Sequence, residues 1–194
     1  MMTIFRIYLL CTLSLLTGCS QLGTFASEIS GLSLLHDRRH SDTVINDEII
    51  EQRAMMDLLS NEPLFVHTHI NVTTYNGTIL VTGETPTLNL HKKAIAILRV
   101  IPGVKFVHDH LRTTQPSSFY ARNRDTLITA KVKYDLANIN YIPGFDATRV
   151  KVITENATVY LMGLVRKPEA KAVINRTNKV SGVNEVIQAF EYID

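Results

Sequence analysis

The chain has 194 residues, 45% of them hydrophobic, with 20 Lys and Arg against 18 Asp and Glu. That length holds one or two small domains with an ordinary core, and the near-neutral total gives no reason to expect a nucleic-acid partner. Its two cysteines, Cys11 and Cys19, are too few for a thiolate zinc cage, and beyond residue 20 no segment approaches the roughly 20 apolar residues of a membrane-crossing helix.

The N-terminus carries one positive charge, Arg6, then an apolar run over residues 7–16 and the small-residue exit Leu16-Thr17-Gly18-Cys19. Charged head, apolar middle and small-residue exit describe a secretory signal peptide over residues 1–18. The final four residues resemble a lipobox, the signal for bacterial lipoprotein processing. That resemblance implies cleavage before Cys19, a diacylglyceryl thioether on its sulfur and N-acylation, for instance by palmitate. Cys11 leaves with the signal peptide, so no intramolecular disulfide can form. Residues 19–45 are rich in Ser, Thr and Gly and are expected to be the acylated N-terminus and a flexible tether. Ser20 follows the cysteine where Asp would favour inner-membrane retention, so the expected location is the periplasmic face of the outer membrane.

Further along, one pattern occurs twice. Residues 70–83, beginning Ile70-Asn71-Val72-Thr73 and closing on Gly83, recur as residues 150–163, beginning Val150-Lys151-Val152 and closing on Gly163. Both alternate apolar and polar residues around a break, which predicts a β-hairpin. Asn76-Gly77 supplies the positive φ angles of a tight turn. Ala157 suits that turn less well than Gly77, so the second hairpin is expected to use another turn type. Helices are expected before each hairpin, at 47–59 and 125–138, with Asp47 and Asp125 as N-caps. Others follow at 86–100 and 168–180, each with proline at its start and glycine after its end. Leu90, Ala94, Ile97 and Leu98 take core spacing in the first of these, and Ala172, Val173 and Arg176 follow Pro168 in the second. Gly103-Val104 and Gly182-Val183 then lead into a last strand. The fold class is therefore α+β: two αββαβ units at 46–115 and 121–194, each a small mixed sheet covered by two helices, joined by a linker at 116–120.

Two such units, with a hairpin closing on glycine and Gly-Val before the last strand, resemble BON domains. The carrying stretches are Ile70-Asn71-Val72-Thr73, Gly83, Thr154-Glu155-Asn156, Leu161-Met162-Gly163-Leu164-Val165 and Lys179-Val180-Ser181-Gly182-Val183. With the lipobox and tether, the chain is similar to the dual-BON outer-membrane lipoproteins. The resemblance implies a non-enzymatic protein that supports envelope integrity, with recruitment to the division septum. It also implies binding of anionic phospholipid by the first helix of the second domain.

On that helix, Ile128, Val132 and Leu136 should face the sheet. Arg124, Leu127, Lys131 and Tyr134 share a second face, three or four residues apart. Cations for phosphate beside Leu and Tyr for the upper acyl region suit a lipid headgroup layer. The family commonly presents a larger aromatic where Leu127 stands. Arg122, Lys133, Arg149 and Lys151 can widen the positive field, since residues 121–194 hold eleven Lys and Arg against eight Asp and Glu, whereas residues 46–115 hold six against seven. The alternative is that Leu127 and Tyr134 pack on the first domain, or that the face docks an envelope protein. Asn46, Ile49, Arg53 and Met56 form a similar stripe in the first unit, so the feature can be generic to the domain.

His67, His69, His108 and His110 form two i, i+2 pairs that strands would project to one face, a conceivable metal site if the strands were neighbours. Solvated histidines are the expected outcome, with no metal and no cofactor. No Gly-x-Ser-x-Gly elbow, phosphate-binding glycine loop or His-Glu-x-x-His helix is present, so catalysis is not expected.

Overall fold

A computed structural model describes residues 36–193; the signal peptide, Cys19 and most of the tether lie outside those residues. The first repeat runs α1 (Ser41–Leu59), α2 (Glu62–His67), β1 (His69–Tyr75), β2 (Thr78–Thr85), α3 (Leu88–Arg99) and β3 (Phe106–Thr113). The second runs α4 (Phe119–Ala137), a 3-10 turn (Ala147–Arg149), β4 (Lys151–Glu155), β5 (Thr158–Val165), α5 (Lys167–Thr177) and β6 (Glu185–Tyr192). Both repeats belong to one compact unit that begins at His36.

Each sheet has three strands with the hairpin's second strand in the centre: β1-β2-β3 and β4-β5-β6. The hairpins are antiparallel, and the last strand adds in parallel after the crossover helix. Alternation then divides each sheet into two faces. Ile79 and Val81 of β2 join Ile50, Ala54, Leu58, Ala94 and Leu98 of the helices in one core. Val159 and Leu161 of β5 join Ile128, Val132, Leu136 and Val173 in the other. Burial of each large side chain contributes about 1.5–3 kcal/mol.

The helix-free faces do not remain in water. Tyr75 and Leu80 of the first sheet pack with Tyr160 and Met162 of the second, flanked by Ile153, Leu164 and Ile187. Across this junction the Leu164 N–H donates to the Tyr75 hydroxyl at 2.9 Å. The amide of Asn71 reaches Glu155 at 2.8 Å, that of Asn76 reaches Glu191 at 2.6 Å, and that of Asn156 bonds Glu84. Two cores too small to be generous on their own are thereby supplemented by a third.

Both leading helices start earlier than their sequence suggested. Nothing in residues 41–46 or 119–124 breaks a helix, and Ser118 caps α4 by accepting the Ala121 N–H at 3.3 Å. The linker is correspondingly shorter, with α4 already under way at Phe119. Asp47 and Asp125 are therefore not N-caps. They sit inside α1 and α4, 4% exposed, and each accepts two N–H groups from a hairpin turn. Asp47 takes those of Asn76 (2.6 Å) and Gly77 (2.7 Å). Asp125 takes those of Asn156 (2.8 Å) and Ala157 (2.9 Å). The second hairpin also keeps the turn of the first instead of adopting another type. Asn156 and Ala157 have φ of 51° and 60°, against 53° and 76° for Asn76 and Gly77. Two charge-assisted bonds offset the roughly 1–2 kcal/mol that alanine loses in that region.

The tether is expected to continue to residue 45, but residues 38–39 already make side-chain contacts with both repeats and α1 begins at Ser41. Arg38 donates to both carboxylate oxygens of Glu169 at 2.6 Å and to the Leu164 carbonyl at 3.1 Å. Arg39 donates to Asp47 at 2.5 Å and to Asp37, and lies over the Tyr75 ring with its guanidinium carbon 3.7 Å from the centroid. Consecutive arginines thus engage both repeats. Among the described residues, no helix is long and apolar enough to cross a membrane.

Candidate functional site

The face of α4 turned to the sheet carries Asp125, Ile128, Val132 and Leu136, all buried. The opposite face carries Arg124, Leu127, Lys131 and Tyr134, all exposed. Leu127 is 63% and Tyr134 72% exposed, so neither packs on the first domain. The four side chains stand along one helix flank, as their spacing implied.

The earlier start of α4 adds a residue that sequence reasoning missed. Tyr120 lies four residues before Arg124 and seven before Leu127, and is 80% exposed. The same three-four spacing extended backward would have found it. Lys179, in the loop after α5, meets Lys131 and Tyr134 at a shallow depression also lined by Ala130, Asp135, Val180 and Ser181. Only the tertiary fold brings that second lysine to the helix. The resulting surface offers two ammonium groups and a guanidinium against one carboxylate, with two phenols and a leucine, a mixture suited to an anionic, partly apolar layer.

Other basic residues expected to extend the field are engaged elsewhere. Lys151 points into the domain junction, bonding the Thr74 carbonyl at 3.3 Å and pairing with Glu51 at 3.8 Å. Arg149 bonds the carbonyls of Gly144 (2.6 Å) and His36 (2.9 Å). Arg122 folds back on the Ser117 carbonyl at 2.9 Å.

The matching stripe on α1, Asn46, Ile49, Arg53 and Met56, is also exposed, but its setting has the opposite sign. Besides Arg53, α1 carries Asp42, Asp47, Glu48, Glu51 and Asp57, whereas α4 sets Arg122, Arg124, Lys131 and Lys133 against Asp125 and Asp135. Exposed apolar residues recur in both repeats; the positive field belongs to the second.

The four paired histidines do not converge. His67 ends α2, and β2 separates His69 on β1 from His108 and His110 on β3. His110 stacks edge-on against Tyr160 with centroids 4.9 Å apart. Burial there lowers its pKa.

The doubled αββαβ unit, each copy a three-stranded mixed sheet covered by helices, is the architecture of a BON-domain protein. Residues 46–115 and 124–194 each match the BON domain, and the chain belongs to that family. It is 31% identical over 159 residues to the outer membrane lipoprotein DolP of Haemophilus influenzae, covering 81% of this chain and 80% of that one. It is 32% identical over 157 residues to a 21 kDa hemolysin of Actinobacillus pleuropneumoniae, covering 81% and 79%. The chain carries two BON domains in tandem. A solved structure of CdsD, a structural protein of the type III secretion system of Chlamydia trachomatis, aligns over 77% of this chain and 92% of that one, at 10% identity and a TM-score of 0.30.

Proposed function

We propose that this protein is held to the periplasmic face of the outer membrane through acylated Cys19. There the outer flank of α4 binds anionic phospholipid, in support of envelope integrity and of recruitment to the division site. It is a binding protein, not an enzyme. The observation that carries this reading is the sign difference between the two leading helices: both expose Leu-, Ile- or Met-bearing flanks, and only α4 surrounds its flank with cations. Phosphate groups would meet Arg124, Lys131 and Lys179, while Leu127 and the rings of Tyr120 and Tyr134 enter the interface. The acyl chains supply proximity, so the helix needs only modest intrinsic affinity as a second membrane signal.

The test is an NMR titration of the acyl-free chain from Ser20 with anionic and with zwitterionic micelles. Shifts confined to α4 and the Lys179 loop in anionic lipid, weakening with salt, support the proposal. Absence of shifts with either lipid overturns it.

A second reading, an adaptor that docks an envelope protein, is favoured by a separate surface. Phe65 and Val66 of α2 are 63% and 57% exposed, and α1, which precedes α2, is net acidic and exposes Ile49 and Met56. Such a surface suits a protein partner better than an anionic bilayer.

A further inference from the structure

Glu84 at the end of β2 and Glu155 at the end of β4 come from different domains and meet at the junction of the sheets. They are 1% and 5% exposed. His69, which pairs with Glu84 across the first hairpin, completes a trio whose candidate ligand atoms all lie within 4.8 Å of one another. Two carboxylates held this close in a buried setting repel unless a cation or proton lies between them. No Lys or Arg among the described residues forms an ion pair with either one.

The hydrogen bonds leave one gap. Glu84 accepts from the Asn156 amide and from the Ser117 N–H at 3.0 Å. Oε2 of Glu155 accepts from the Asn71 amide at 2.8 Å and lies 3.5 Å from Nε2 of His69. Oε1 of Glu155, although buried, has no hydrogen-bond partner. A buried carboxylate oxygen without a donor is costly, and it belongs to the same side chain that joins the His69–Glu84 pair.

We propose that His69, Glu84 and Glu155 bind a single divalent transition-metal ion of the Zn²⁺ class across the domain junction. Imidazole nitrogen with two carboxylates is a donor set such ions accept, and less suited to Ca²⁺ or Mg²⁺, which take oxygen alone. Tetrahedral ligation needs donor atoms roughly 3.3 Å apart, so binding draws the trio in from its present spread of up to 4.8 Å. The amides of Asn71 and Asn156 already orient the carboxylates, as outer partners of metal ligands do. The His69 side chain, 18% exposed, marks the way in. Because the ligands come from both domains, the bound ion would fasten one sheet to the other.

The experiment is a titration of the full acylated, tag-free chain in neutral detergent micelles with ZnCl₂, followed by calorimetry and by thermal unfolding. One ion per chain is expected, with a rise in Tm. His69→Asn and Glu155→Gln should each weaken binding on the order of tenfold or more, whereas His108→Asn should leave it unchanged. His69 is partly exposed, so its variant folds even if the buried one does not; far-UV circular dichroism verifies both. No stoichiometric binding, or binding that His69→Asn leaves intact, overturns the proposal.

Discussion

The guanidinium of Arg38 grips both carboxylate oxygens of Glu169, 131 residues away in sequence, with each N–O distance at 2.6 Å. Glu169 also accepts the Arg166 N–H at the start of α5 at 2.8 Å, so one buried carboxylate joins the end of the tether to the second domain. The chain therefore enters its described part at a fixed point on the domain that carries the basic helix.

Arg38→Ala should cost about 2–3 kcal/mol, because Glu169 is 1% exposed and would keep its charge without its main partner. The bond from the Arg38 guanidinium holds the Glu169 carboxyl below its ordinary value of 4.5. The unfolded chain thus takes up this proton at higher pH than the folded one. The stabilisation is fully present above about pH 4.5 and fades as pH falls through the lower folded value. Urea unfolding of wild type and variant should show a constant gap at neutral pH that narrows below pH 4.5; a gap independent of acid would contradict this account.

Asp125→Ala should destabilise by about 2–4 kcal/mol, since two turn N–H groups lose their acceptor while Ala157 stays at positive φ. Asp47→Ala should cost at least as much: Gly77 takes the same turn without strain, but the buried Arg39 guanidinium also loses an acceptor. Denaturant midpoints of the two variants decide the order.

Glycines 83 and 163 close the hairpins at points of backbone contact. A Cβ at Gly83 would fall 2.0 Å from the His69 carbonyl oxygen, and one at Gly163 would fall 2.5 Å from that of Arg149. Either substitution by alanine should cost about 4 kcal/mol or more. Gly144→Ala, with no atom within 4 Å and only its φ of 72° against it, should cost about 1 kcal/mol. Thermal unfolding of the three variants gives the comparison.

Leu127→Trp should tighten binding to anionic vesicles by roughly three- to tenfold, since an indole adds interfacial area where the leucine is 63% exposed. Stability should move by no more than about 0.5 kcal/mol. Vesicle co-sedimentation at two salt concentrations reads the affinity, and unchanged binding would remove Leu127 from the contact.

Much of this protein was legible before folding. Strand and helix types follow from local period, which is why both hairpins, the α4 flank of Arg124, Leu127, Lys131 and Tyr134, and the unit αββαβ could be read from spacing. Helix starts were misplaced because Asp47 and Asp125 have the chemistry of caps, and spacing cannot show that their carboxylates accept from a turn about 30 residues later. Ala157 misled for the same reason: its intrinsic preference opposes the turn, and a remote carboxylate overrides it.

The amino-acid order by itself determined the elements, the doubling and the expected anchor, because these depend on neighbours along the chain. Tertiary structure alone decided what meets across it. It closed the sheets on Tyr75, Leu80, Tyr160 and Met162, took Lys151 and Arg149 out of the basic surface and added Lys179 to it. It also set His69 beside two carboxylates instead of beside other histidines. Those relations arise from burial and pairing between residues tens of positions apart, for which no local pattern exists.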